Sequence, residues 1–498
     1  MKKRNVKLVL SLLFLTFLNN SVKADDHSNA RNMAMANSSI VSSYGIFAFG
    51  INPANYYSNK YSSIDNSKLH ITKKQSYKPQ IEFTVFSLGA VMGSDAKYDF
   101  FKKYVDLISM NSETFVRTFT SISELEDLSK NLLPDTKTNV DFDFQLKWLS
   151  FNITFPHFGA LNFTVRDHVG LTTEVPGKGE TLPPDYITYI DPKTGKGYLT
   201  DVQFRQSEAI SSWLREYSLG FSKIIEFKNG PVKSIALGIS GALVHGFGYV
   251  AAYRSQFSIN TYGISYDQQQ RVHIDSVRGS QNFNAQMSLT DYFNDFRNGT
   301  QTHFNLFPDP AGKGYSLDFG INIEINEKLR LGASVTELGK IKWDKNTFSN
   351  FDNNNFLYTN FFIDKNDPTY NNFVNDINGL NTRDTINPFE TNLPTKFRAG
   401  IMYQPSDKVL FQFKWQKGNN NQPGNTTAHI FSLGSEYTPV GFLLLRTGVS
   451  IGGPGDYAIG LGAGLRFLNF TLDVGANGIN QIIRGSRYSL AVSTSVKL

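Results

Sequence analysis

The chain has 498 residues, no cysteine, a formal charge of +6, 14% aromatic residues and a mean hydropathy of −0.28. Without thiols it has no disulfide, no lipobox lipid, no zinc–thiolate site and no iron–sulfur cluster. Residues 1–24 hold five of the lysines and arginines and no acid, so the remainder is close to neutral at about +1 and offers no basic stripe for nucleic acid.

In chain order, Lys2, Lys3, Arg4 and Lys7 precede an apolar run over residues 8–18, and Val22-Lys23-Ala24 supplies small residues for cleavage. This is the pattern of a signal peptide over residues 1–24; a transmembrane anchor needs ~20 apolar residues, about twice what is present. Residues 25–79 are polar, with no sustained period. Their Ala, Ser and Gly runs around a few aromatics suit a hatch or plug packed inside a larger structure.

From residue 80 onward the chain alternates. Strands are predicted over residues 81–93, with a phase switch near Phe86, then 140–148, 161–166, 213–225 and 233–245. The clearest hairpin follows at residues 314–335: Tyr315, Leu317, Phe319, Ile321 and Ile323 alternate with Ser316, Asp318, Gly320, Asn322 and Glu324. Seven more strands are predicted at 397–403, 409–415, 429–437, 442–451, 457–466, 470–476 and 488–498. The total is fourteen; the stretch 253–277 also alternates, and a hairpin there would make sixteen.

Low hydropathy with many aromatics, in strands about as long as the ~9–11 residues that cross a bilayer, predicts an all-β fold, a closed antiparallel transmembrane β-barrel over residues 80–498. Connection lengths support the count. The connections after even strands are short, whereas long ones such as 94–139, 170–212, 246–313 and 344–396 follow odd strands, so the long loops fall on one side. Trp148, Trp213, Trp343 and Trp415 lie near expected strand ends, where interfacial belts belong.

Three motifs carry a family resemblance. Arg31-x-Met33-Ala34-Met35-Ala36 is followed by Asn52-Pro53-Ala54; Gly312, Gly314, Asp318 and Gly320 precede Glu337-Leu338-Gly339-Lys340-Ile341-Lys342-Trp343; and Leu393-Pro394 opens the next strand. Together these resemble the FadL-type (FadL/TodX) outer-membrane barrels, and most closely members of unassigned function from the Bacteroidota type of Gram-negative bacterium. Ala34 and Ala36 stand where the family run has glycines. The resemblance implies an N-terminal hatch containing Asn52, Pro53 and Ala54, a location in the outer membrane after signal cleavage, and passage of small hydrophobic molecules. The alternatives are a shuttle for secreted proteins at the cell surface and a structural barrel that only displays loops. Outer-membrane lipids are the expected surroundings and a fatty-acid-like molecule the expected ligand. Phe100, Phe101, Tyr104, Phe361 and Phe362 are the loop side chains expected to line its path.

Candidate chemistry is sparse. Acidic clusters such as Asp364-Lys365-Asn366-Asp367 and Asp191-Pro192-Lys193-Thr194-Gly195 lack calcium-loop spacing, and no metal site or cofactor is expected. The glycines of residues 460–464 sit in a strand with no following helix, which excludes a dinucleotide loop. His168 beside Asp167 lacks a serine partner in sequence, so catalysis is not expected. The remaining candidates are lumen-facing charges: Asp141, Asp143, Arg166, Asp318, Glu324, Arg330, Lys414, Arg446, Arg466 and Asp473. Mutual salt bridging is their simplest role.

Overall fold

The predicted strands carry most of their apolar side chains on one face, and a sheet built from such strands must either stack on another sheet or close with its apolar face outward. A computed structural model of the chain shows closure. It describes residues 27–57, 79–94, 138–156, 158–175, 189–190, 197–205, 209–266, 272–292, 305, 307–362, 364, 366–372, 384–385, 387–453, 457–484 and 487–498. The expected signal peptide lies outside these residues, as do Phe100, Phe101, Tyr104 and the Asp191–Gly195 run.

Fourteen strands form the wall. β1 is Gln80–Thr84 continued by Ser87–Ser94, β2 Thr138–Phe155, β3 Gly159–Val175, β4 Ala209–Glu226 and β5 Ser234–Tyr266. β6 is Gly312–Glu324, β7 Leu329–Trp343, β8 Lys396–Ser406, β9 Val409–Gly418 and β10 Ile430–Val440. β11 is Leu443–Gly452, β12 Ala458–Phe467, β13 Phe470–Asn477 and β14 Arg487–Lys497. Each pairs antiparallel with its sequence neighbour, and β14 pairs back onto both halves of β1, for example Val91 with Ser489 and Glu82 with Lys497, so these fourteen strands close on themselves.

The phase switch near Phe86 is a break in β1, bridged by Thr494: the Phe86 N–H donates to Thr494 Oγ1 at 3.1 Å and the Thr494 N–H to the Phe86 carbonyl at 3.0 Å. The expected hairpin within residues 253–277 exists, but it adds nothing to the wall. β5 runs on for 33 residues, and beyond the barrel its outer half pairs with Val272–Leu289, which pairs in turn with Thr347–Phe362. The barrel therefore keeps fourteen strands and carries an outer sheet on one side.

Outward positions are apolar and exposed around the wall, among them Leu219, Ile239, Phe319, Ile401, Leu433, Val474 and Leu490. Among the described residues no second sheet covers them, in keeping with a face turned to lipid. An arginine in place of Phe319, halfway along β6, is expected to cost about 2–4 kcal/mol in urea unfolding from lipid vesicles. The same change at exposed Asn229, in the turn after β4, is expected to shift it by less than about 0.5 kcal/mol.

Candidate functional site

The lumen is built in layers, which can be followed along β4 from its short-turn end outward. Successive inward residues are Gly220, Ser218, Glu216, Leu214, Ser212 and Ile210: small, then charged, then apolar. On β7 the order is Gly332, Ser334, Thr336 with Glu337, Gly339, Ile341 and Trp343.

The small layer receives the N-terminal segment. Residues 27–56 are all buried inside the barrel. Asn29 caps the short helix Ala30–Ala34 by accepting from the Asn32 N–H at 3.0 Å. Pro53 opens a 3₁₀ turn, Pro53–Tyr56, that Asn52 caps by accepting from the Ala54 N–H at 3.1 Å. Wall glycines let this backbone approach closely. A Cβ built on Gly89, Gly238, Gly448, Gly460 or Gly475 would lie 1.6 to 2.7 Å from backbone atoms of the segment. Hydrogen bonds complete the fit: Asn322 Nδ2 donates to the Val41 carbonyl at 3.1 Å, Ser334 Oγ to Ile51 at 2.6 Å, and Asn152 Nδ2 to Tyr56 at 2.9 Å.

The charged side chains form two groups, the first outward of this segment and the second on its short-turn side, nearer the strand ends than Gly434, Gly448 and Gly475. In one, Arg166 Nη2 meets Glu216 at 2.8 Å and Glu337 at 2.6 Å, and Lys396 approaches Glu337 at 3.8 Å. Asp318 accepts from Ser240 Oγ at 2.6 Å and from the Glu337 N–H at 2.7 Å. His168 and His27 both address Asp143, at 2.7 and 3.3 Å. Phe49 of the segment lies under both Lys147 and Arg166, 5.5 and 5.0 Å from ring centroid to cation. The second group is a chain: Arg31 to Glu436 at 2.8 Å, Glu436 to Arg446 at 2.6 Å, Arg446 to Asp473 at 2.6 Å. Arg31 also donates to the Ser42 carbonyl, tying this chain to the segment's own fold.

The outermost layer is apolar although it faces the lumen. Ile210, Leu214, Val244, Tyr249, Ala251, Ile341, Trp343 and Leu393 form one buried cluster, with Phe389 packed against it. Trp343 packs against Tyr249 in a tilted pair, ring centroids 5.3 Å apart, and donates from Nε1 to Thr391 Oγ1 at 2.8 Å. Pro394, Gln422 and Pro423 close over it from two connections, leaving a cavity of about 10 Å³, the space of roughly one water.

Of the charges expected to face the lumen, Asp143, Arg166, Asp318, Arg446 and Asp473 take part in these groups. Asp141 instead accepts from Thr172 at 2.7 Å and Glu324 from Ser234 at 3.0 Å, while Lys414 donates to Gln416 at 2.7 Å. Arg330 is buried near the short-turn end of β7, and Arg466 is half-buried near that of β12. His168 makes its hydrogen bond to Asp143 rather than to the adjacent Asp167, and among the described residues it bonds no serine.

One expectation changes, and two ion-pair partners appear that the sequence reading did not name. Trp343 is not in an interfacial belt; it is 0% exposed inside the lumen, because Glu337 adopts φ +59° and β6 and β7 slip register there, inverting the alternation beyond it. Glu216 and Glu337 were missed as partners of Arg166. The inward phase of Ser212, Glu216 and Ser218 signalled the first; the bulge hid the second.

A closed antiparallel barrel with an apolar outer face and a layered lumen defines a transmembrane β-barrel of the outer-membrane type. The chain belongs to DUF5723, a family of unknown function, whose model matches residues 72–477. No curated protein matches it. Among solved structures it is similar to the Pseudomonas putida toluene transporter TodX at 10% identity, covering 94% of this chain and 97% of that one, TM-score 0.40. The Ralstonia pickettii toluene transporter TbuX gives 10% identity, 94% and 97% coverage and TM-score 0.39. A Pseudomonas aeruginosa FadL homologue gives 12%, 96% and 99%, and 0.39.

Proposed function

We propose that this barrel is a FadL-like passage of the outer membrane for small hydrophobic molecules, with residues 27–57 as its hatch. The carrying observation is the cluster around Leu214, Tyr249, Ile341 and Trp343. Lumen-facing positions of a barrel are ordinarily polar, and burying apolar groups there instead suits an apolar ligand that displaces them. Its lids among the described residues, Leu393-Pro394 and Gln422-Pro423, come from outer connections, so their displacement would open the cluster toward the outside. Below the cluster the charged layer opposes onward travel of an apolar molecule through the lumen centre. The β1 break at Val85 and Phe86 offers an exit through the wall, beside the points where Ser87 Oγ donates to the Ser28 carbonyl and Glu82 accepts from the Ile46 N–H.

Trp343 is a built-in reporter. Titrating the detergent-solubilised protein with a fatty acid brominated on its chain is expected to quench part of the tryptophan fluorescence, and Trp343→Phe is expected to remove that part. Quenching that is unchanged in Trp343→Phe would place the ligand elsewhere and sink this reading.

The outer sheet favours a second reading, capture of a secreted protein. Residues of β5, Val272–Leu289 and Thr347–Phe362 continue the wall well beyond the lipid-facing band, with Phe362 packed on His273 at 4.9 Å. Photo-cross-linking from position 358 in intact cells discriminates: recovery of a secreted protein, with fatty-acid quenching absent, supports capture over passage.

A further inference from the structure

On the lipid side of the wall, directly opposite residues on four adjacent strands put basic groups in one row. Arg215 on β4 pairs with His245 on β5, His245 with Lys313 on β6, and Lys313 with Lys342 on β7. Their neighbours in sequence, such as Glu216, Val244 and Ile341, face the lumen, so the row itself faces out. Lys313 and Lys342 are exposed and His245 is half-buried.

The row sits at the long-loop edge of the apolar band. The next outward row toward the short turns holds Tyr217, Leu243, Tyr315 and Lys340; the one after it holds Leu219, Gly241, Leu317 and Leu338. Basic, then aromatic, then aliphatic is the order of a membrane interface crossed from water into hydrocarbon.

Only the Arg215 end of the row is neutralised. Arg215 is held by Asp167 through two bonds, 2.8 and 3.0 Å, beneath the rings of Trp148, Phe247 and Phe307. At the far end, Glu390 lies opposite Lys342 but gives its carboxylate to Lys340 at 2.6 Å. Lys313 and Lys342 have no salt bridge among the described residues. Two like charges directly opposite each other on paired strands, with Cβ atoms about 4.5–5.5 Å apart, repel and destabilise the pair. An anion between them reverses the sign of that interaction. Because the floor of the site is aliphatic and faces acyl chains, the anion best suited to it is one attached to acyl chains.

We propose that Lys313 and Lys342, with His245 beside them, bind the phosphate of an outer-leaflet lipid headgroup, whose chains lie over Leu317 and Leu338. This goes beyond the passage reading and rests only on the membrane orientation of the wall.

The test is native mass spectrometry of the whole barrel in a neutral detergent, titrated with phosphatidylglycerol, phosphatidylcholine or inorganic phosphate. Wild type is compared with Lys313→Glu/Lys342→Glu and with the milder Lys313→Gln/Lys342→Gln. Each lysine near an anionic headgroup contributes about five-fold in affinity, so the glutamine pair is expected to lose roughly twenty-fold for phosphatidylglycerol and the glutamate pair more. Phosphatidylcholine, whose choline offsets the charge of its phosphate, is expected to bind wild type more weakly than phosphatidylglycerol does and to lose less affinity in both variants. Equal phosphatidylglycerol affinity in wild type and the glutamine pair overturns the proposal. So does displacement of the bound lipid by an equal concentration of inorganic phosphate, since the site would then read phosphate without its chains. Quenching of Trp343 by brominated fatty acid is expected to be unchanged in both variants, so failure of this site and failure of the lumenal one are separately visible.

Discussion

Valine in place of Gly238 is expected to expel residues 52–56 from the lumen and turn a closed barrel into a conducting one. At this position a Cβ would stand 2.2 Å from the Ala54 nitrogen and 2.3 Å from the Pro53 carbonyl oxygen. Those are backbone atoms of a turn held by Asn52, and Gly238 is itself fixed in register with Gly320 and Ser222 on its two neighbours, so neither side can yield by a rotamer change. Three residues on, Gly241 faces outward, and a Cβ there would meet nothing closer than the Leu317 Cδ2 at 3.5 Å, an ordinary contact. Gly241→Val therefore adds the same volume to the same strand without touching the lumenal segment. In planar bilayers, Gly238→Val is expected to show stable ohmic conductance, with protease cleavage inside residues 27–57, and Gly241→Val is expected to show neither. If both variants stay closed, the segment does not depend on the glycine surface for its seat.

The wall was legible in the sequence because its physics is local. Alternation in residues 315–324 reports which side chains meet lipid whatever the rest of the chain does, and the same rule recovered fourteen strands and the break at Phe86. The lumen was harder to read for two reasons. Bulges reverse the phase without changing composition: register shifts beside Trp148, Phe247 and Glu337 moved Tyr249, Ile341 and Trp343 into the lumen, where uninterrupted counting had Trp343 at an interface. Moreover, an inward glycine is silent about what approaches it. Gly89, Gly238, Gly448 and Gly475 are far apart in sequence and become one surface only when the barrel closes around residues 27–56. The charges were readable as inward, but their partners were not, since Arg31 and Glu436 are 405 residues apart. Chain order holds no trace of that pairing.

That pairing carries the second large effect. Glu436 is shared by Arg31 of the lumenal segment and Arg446 of the wall, with all three side chains at most 3% exposed. Truncating Glu436 to alanine leaves two buried guanidinium groups with Asp473 as the remaining carboxylate of the chain, and breaking a buried pair from one side typically costs about 3–5 kcal/mol. The cost need not fall on the wall, which is closed by backbone hydrogen bonds on every strand. It falls on the element that can leave, the segment carrying Arg31. Glu436→Ala is therefore expected to raise hydrogen exchange throughout residues 27–57 while the protection of β10 and β11 stays near that of wild type. Arg31→Met in the same background removes the stranded cation together with its lost partner, and is expected to restore part of the protection because methionine fills much of the same volume without a charge. Uniform loss of protection across wall and segment in Glu436→Ala would assign this chain of charges to barrel stability. Loss confined to the segment, partly recovered by Arg31→Met, makes it the latch of the hatch.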